Sequence, residues 1–128
     1  MEPKIAKKIQ TIAALSRTLC DLKKKGKKIV LCHGVFDLVH LGHIRYFTQA
    51  KKEGDILVVT LTKDKYVKRG PGRPVFNEYL RAEMLACLEI VDFVAVVDSP
   101  TAIECITALK PDVYVKGPDY KDKKTDIT

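Results

Sequence analysis

Three histidines occur in this 128-residue chain, and two of them flank a glycine in the run His40-Leu41-Gly42-His43. A spacing of three lets both rings face one side where a helix begins. The free backbone N–H groups and the positive dipole end gathered there favour an anion. Gly42 removes a side chain where a phosphate would approach the backbone. An imidazole N–H donates to a phosphate oxygen. As charge builds on the oxygens of a phosphorus under attack, such donors stabilise that state more than the ground state. Phosphoryl-type transfer rests largely on positioning and charge stabilisation, so no covalent intermediate is required. Two other readings stay open. Both histidines can be structural, with Gly42 only turning the chain. Alternatively Cys32, His33, His40 and His43 can ligate zinc, although their spacing matches no common zinc-finger pattern and Cys32 and His33 point to opposite sides of a strand.

Neither familiar glycine loop is present: G-x-x-x-x-G-K-[ST] and G-x-G-x-x-G are both absent. The elements around the histidines alternate between strand and helix. Ile5, Ile9, Ile12, Leu15, Leu19 and Leu22 recur every three or four residues and predict one amphipathic helix, ended by Gly26 after a lysine-rich last turn. Ile29 to Cys32 reads as a first buried strand, and Ile44 to Lys52 as a helix closed by Gly54. Asp55 to Leu61 is the second strand, followed by a short helix or turn to Lys68. Arg69 to Pro74 holds two prolines and two glycines and is a loop. Asn77 caps a helix running to about Glu89. Phe93 to Val97 is the third strand. Ser99 is expected to cap the next helix, with Pro100 at its first position. Asp112 to Val115 is the fourth strand. Buried strands separated by helices predict an α/β fold, a parallel sheet with helices on both faces. Ligands of such sheets bind beyond the carboxyl ends of the strands, which selects the loops His33 to His43 and Lys116 to Tyr120.

The length fits one domain. Hydrophobic residues at 46% and charged residues at 30% support a core and argue against disorder. No apolar run approaches the roughly 18 residues needed to cross a bilayer, and no apolar stretch follows the N-terminal lysines as a signal peptide would require. Cytoplasmic location is the default, without membrane insertion. Cys20, Cys32, Cys87 and Cys105 form no C-x-x-C pair and read as small core residues with free thiols. The net charge of +7 suits anionic partners. Its runs at Lys23 to Lys28 and Lys121 to Lys124 lack interleaved aromatics and read as solvated surface, so a nucleic-acid partner is not expected.

The stretch His33 to His43 resembles the G-x-F-D-x-x-H-x-G-H signature of the cytidylyltransferase-like nucleotidyltransferases. Lys63-Asp64, Arg73-Pro74-Val75, the helix containing Arg81, and Lys116-Gly117-Pro118-Asp119-Tyr120 extend the resemblance to the sugar-phosphate branch. That branch includes the adenylyltransferase domain of bifunctional ADP-heptose synthase. The likeness to glycerol-3-phosphate cytidylyltransferase is looser. Coverage is about residues 28 to 120.

The resemblance implies a Rossmann-like domain over 28–128, preceded by the helix in 1–27. It implies transfer of AMP or CMP from ATP or CTP to a phosphorylated sugar or polyol, with Mg2+ on the triphosphate and release of pyrophosphate. It suggests a place in lipopolysaccharide or capsule sugar synthesis. His40 and His43 would contact the triphosphate. Gly34, Val35, Phe36 and Gly42 would form the nucleotide site, with Asp37 bracing the loop. Arg81, Gly117 and Asp119 would lie at the nucleotide. Lys68, as the catalytic cation, and Arg69 stand nearest the family's lysine after the second strand. No protein metal ligands are implied. Related enzymes are commonly homodimers. The family's last helix would follow Thr128, so the chain is expected to be a piece of a longer protein, with a fused kinase-like domain beyond, and to turn over weakly by itself. Other readings are a glycerol-3-phosphate-type cytidylyltransferase and a non-catalytic nucleotide-binding module.

Overall fold

Alternation along the strands decides which side chain meets which layer of helices. A computed structural model describes residues 1–68 and 70–117. The elements run α1 (Pro3–Ala6), α2 (Ile12–Lys24), β1 (Ile29–Gly34), α3 (Leu41–Lys51), β2 (Ile56–Thr62), α4 (Glu78–Ala86), β3 (Phe93–Val97), α5 (Ile103–Leu109) and β4 (Val113–Tyr114), with a 3-10 turn at Asp64–Tyr66. The sheet order is β3-β2-β1-β4 and every pairing is parallel. Val30, Cys32, Leu57, Val59 and Leu61 face one layer with Phe47 and Ala50 of α3 and Ala82, Leu85 and Ala86 of α4. Ile29, Leu31 and Val58 face the other, with Leu15 and Leu19 of α2 and Cys105 and Leu109 of α5. Helices therefore cover both faces of this Rossmann-like sheet, as its buried strands require.

Three expectations need correction. The single helix expected within 1–27 is two helices. Between them Ile9 bridges Val94, with Val94 N–H donating to Lys8 O at 2.8 Å and Gln10 N–H to Val94 O at 3.0 Å. The segment thus covers part of the β3 edge, whose backbone groups would otherwise be unpaired. The regular spacing ran through the break by coincidence: Ile5 and Ile9 pack on the α3/α4 face, Ile12 and Leu22 on the α2/α5 face. Thr11 marks the restart, its hydroxyl accepting from Ala14 N–H at 3.1 Å. The helix expected from Ser99 and Pro100 begins at Ile103, after a turn in which Ser99 Oγ accepts from Thr101 N–H. Among the cysteines, Cys32 and Cys105 are buried, but Cys20 and Cys87 are exposed.

Three aspartates finish the amino-terminal edge of the sheet. Asp55 Oδ2 accepts from Lys28 N–H at 2.8 Å, Asp112 Oδ2 from Ile29 N–H at 2.7 Å, and Asp92 Oδ2 from Leu57 N–H at 2.7 Å. Each satisfies a backbone donor at the start of a strand or just before it. Gly54 permits the tight entry into β2. A Cβ there would lie 2.7 Å from Val30 Cγ2 and 2.9 Å from the backbone oxygen of Lys28. At the other end of β1, His33 bridges strands: Nδ1 sits 2.9 Å from Thr60 Oγ1 and Nε2 3.4 Å from Thr62 Oγ1. Burial lowers its pKa from 6.5 to about 4. No helix among the described residues is long and apolar enough to cross a membrane.

Gly54→Ala is expected to destabilise the fold by about 1–3 kcal/mol through overpacking against backbone, read as a lower urea midpoint at constant slope. His33 generates a pH effect. The unfolded imidazole takes up a proton near 6.5 and the folded one only near 4. Stability is therefore lost as pH falls through that window. His33→Gln should flatten the loss, in thermal melts between pH 7 and pH 4, relative to the parent chain; parallel curves would show that His33 titrates normally.

Candidate functional site

The chain direction reverses across the sheet at β1. From β1 it moves outward to β2 and β3, then returns to place β4 on the other side of β1. The carboxyl ends of β1 and β4 thus flank the switch point where ligands of such sheets bind. The loop from Gly34 to His40 leaves β1 there and feeds α3.

His40 is the N-cap of α3, and its Nδ1 accepts from Gly42 N–H at 3.0 Å. His43, at the third helical position, returns the arrangement: its Nδ1 accepts from His40 N–H at 3.1 Å. Two imidazoles thus do the work usually given to a serine and a glutamate in a capping box. The consequence is chemical as well as structural. A ring nitrogen that accepts carries no proton, so the neutral form of each ring bears its N–H on Nε2. Burial, and next the neighbouring charge of His40, lower the His43 pKa from 6.5 to about 4, which keeps this ring neutral near pH 7. The two ring centroids are 4.2 Å apart, tilted by 44°.

The His43 ring is propped from behind. Phe36 meets it edge-on at 5.6 Å and meets Phe47 of the core at 5.3 Å. To reach there, Phe36 adopts φ of +52°, a left-handed conformation that costs a bulky residue roughly 1–3 kcal/mol. Gly34 makes the turn possible: a Cβ at that position would stand 2.8 Å from the Phe36 ring.

Asp37 ties this loop to the 70–76 loop. It is only 7% exposed and accepts from Val75 N–H at 2.8 Å, from Phe76 N–H at 3.1 Å and from Arg73 Nη1 at 3.1 Å. Burial pushes its pKa up, but the backbone donors of Val75 and Phe76 and the Arg73 guanidinium outweigh it, so the carboxyl lies below its ordinary value. It is a carboxylate at neutral pH.

Arg81, expected at the nucleotide, is instead 0% exposed. Its Nε donates to Phe76 O at 3.0 Å, its Nη1 to Val35 O at 2.8 Å and to Thr62 O at 2.9 Å, and its Nη2 pairs with Asp64. One guanidinium thereby joins the loop after β1, the end of β2 and the lead-in to α4. Glu78 completes the junction by accepting from Asp64 N–H at 2.9 Å.

Across the switch point, the Tyr46 hydroxyl of α3 donates to Val115 O, and the Tyr46 ring lies 3.4 Å from where a Cβ of Gly117 would stand. Gly117 is therefore held beside α3.

Val35, Phe36, Asp37, His40, His43 and Arg73, with Leu38, line one cavity of about 250 Å³. Of the expected residues, Gly34 and Gly42 shape its wall through Phe36 and His40, and Lys68 is exposed and does not line it. Arg69 and Asp119 lie outside the described residues. In the sequence Arg73 stands out only as part of a resembling stretch; its place opposite Asp37 arises from folding. A larger groove of about 500 Å³, between Ile9, Ile12 and Tyr79, has Asp98 as its sole charged side chain and no histidine, so the smaller cavity is the candidate site. No cluster of His, Cys, Asp or Glu suited to a metal occurs among the described residues. That includes the four residues weighed for zinc: Cys32 faces the core, and His40 and His43 turn Nδ1 to the backbone.

Comparison with known proteins agrees with this fold. Over 114 residues the chain is 54% identical to the bifunctional protein HldE of Campylobacter jejuni subsp. doylei, covering 88% of this chain and 25% of the relative. It is 47% identical over 106 residues to the bifunctional protein HldE of Nitratiruptor sp., covering 81% and 23%. The chain thus spans about a quarter of the length of the curated relatives it matches. The crystal structure of the lipopolysaccharide core biosynthesis protein from Thermoplasma volcanium superimposes with a TM-score of 0.62 at 35% identity, over 69% of this chain and 72% of that one. The family model described as cytidylyltransferase-like matches residues 31–127, which include the whole imidazole-capped loop. With fold, loop and match in agreement, the chain belongs to the cytidylyltransferase-like family.

Proposed function

We propose that this domain transfers a nucleoside monophosphate, AMP or CMP, from ATP or CTP to the phosphate of a sugar of the heptose 1-phosphate kind, releasing pyrophosphate. A phosphate oxygen of the acceptor attacks the α-phosphorus. A new O–P bond forms, and the bond from the α-phosphorus to the oxygen bridging to the β-phosphorus breaks. Pyrophosphate takes the electron pair. The observation that carries the reading is the pair of imidazoles lining one cavity with both Nδ1 atoms bonded to backbone. With Nδ1 so engaged, each ring carries an N–H on Nε2, and a donor held rigid before reaction needs no reorganisation as charge develops on phosphate oxygens. Family membership supports the reaction class. The sugar acceptor is supported by the likeness to a lipopolysaccharide core biosynthesis protein. In this reading Mg2+ comes with the nucleoside triphosphate, and the Asp37 carboxylate keeps its partners Arg73, Val75 and Phe76.

The direct measurement is pyrophosphate release with ATP and CTP against a panel of sugar and polyol phosphates, with protein in excess of nucleotide so that slow turnover registers. Release with a sugar 1-phosphate is expected; no release with any pair would refute the proposal. The histidine is tested by His40→Asn. Asparagine is a good N-cap, so α3 should start as before, with stability changed by no more than about 1 kcal/mol. The imidazole donor is lost, and the rate of the chemical step should fall about 100- to 1,000-fold. A parent-like rate would mean that His40 only caps the helix.

A further inference from the structure

Two arginines reach the loop after β1, and they differ in what remains for a ligand. Arg81 is wholly buried, and its Nε, Nη1 and Nη2 all donate within the protein. Arg73 has a side chain 39% exposed and lines the cavity with the two histidines. One N–H of its guanidinium, on Nη1, meets Asp37 Oδ2 at 3.1 Å; the other donors make no hydrogen bond to any described residue. Asp37 does not depend on Arg73 alone, since Val75 and Phe76 N–H groups hold the same carboxylate at 2.8 and 3.1 Å. The guanidinium can therefore turn the rest of its fork to a ligand while keeping its bond to Asp37.

Charge points the same way. A polyphosphate entering this cavity would meet the Asp37 carboxylate at its wall, and a cation beside it offsets that repulsion. Lys68 lies outside the lining. Arg73 is the cation that the described residues bring there. We infer that Arg73 is the phosphate-gripping residue of this cavity, binding the nucleotide's polyphosphate through guanidinium donors not used by Asp37. The inference rests on the nucleotidyl-transfer reading for the identity of the ligand. A planar fork suits two phosphate oxygens at once, which a lysine cannot match.

The test is calorimetric binding of inorganic tripolyphosphate and of ATP and CTP at physiological salt to the parent chain, Arg73→Gln and Arg73→Lys, with melting curves for each. Tripolyphosphate has no base or sugar, so it reports the grip alone. Arg73→Gln should weaken tripolyphosphate and nucleotide about ten- to a hundredfold, the range of a charged hydrogen-bonded contact. Arg73→Lys keeps a charge opposite Asp37 and should give a smaller, severalfold loss. Parent-like binding by a folded Arg73→Gln overturns the assignment. If that variant melts early, Arg73→Lys decides: a loss at unchanged melting supports the assignment, and unchanged affinity overturns it. Failure of the broader reading looks different. A parent chain that binds neither tripolyphosphate nor nucleotide removes both proposals. Binding that is lost in Arg73→Gln, but with no pyrophosphate released from any acceptor, leaves the Arg73 site and removes the transfer reaction.

Discussion

Two backbone N–H groups at the start of α3 set the chemistry of this site. They donate to Nδ1 of His40 and of His43, and so dictate the tautomer of both rings. Had those nitrogens faced the cavity, the rings would have offered acceptors to an anion. A helix N-terminus ordinarily contributes to anion binding through its own N–H groups. Here the backbone hands part of that capacity to two side chains, which extend it outward on imidazole rings. The capping bonds thus also fix which ring nitrogen carries the proton.

Holding that geometry requires a frame, and the frame is built from buried charge. Arg81 gathers Val35, Thr62, Asp64 and Phe76 around one guanidinium, and Asp37 gathers Arg73, Val75 and Phe76 around one carboxylate. Both groups span segments far apart in sequence. A buried charge is tolerated only when its hydrogen-bonding capacity is met, so each fixes the relative positions of the loops that meet it. The strain at Phe36 is borne by the same frame: its neighbours Val35 and Asp37 are the residues tied down, leaving the ring to brace His43.

The parallel topology then supplies the place. The return of the chain from β3 to β4 opens the carboxyl edge beside β1, and Tyr46 spans it by bonding Val115 from the helix that the histidines cap. The apolar layers on the two sides of the sheet are ordinary. What is particular to this chain is concentrated where strands end and helices begin.

Much of this was written in the residues. The apolar runs at β1, β2 and β3 carry enough burial to fix a two-sided parallel sheet, and a glycine between two histidines at a strand-to-helix junction marks the loop that lines the cavity, because both signals are local in sequence. The break at Ile9 was not legible, since apolar spacing of three and four continues through it and only pairing with Val94 reveals the extended segment. Nor was the division of labour between the arginines. Arg73 and Arg81 are alike as residues; folding engages one with three carbonyl groups and a carboxylate and leaves the other with donors over the cavity. Residue type sets what a group is able to bind, and only the packed structure decides what has already been bound.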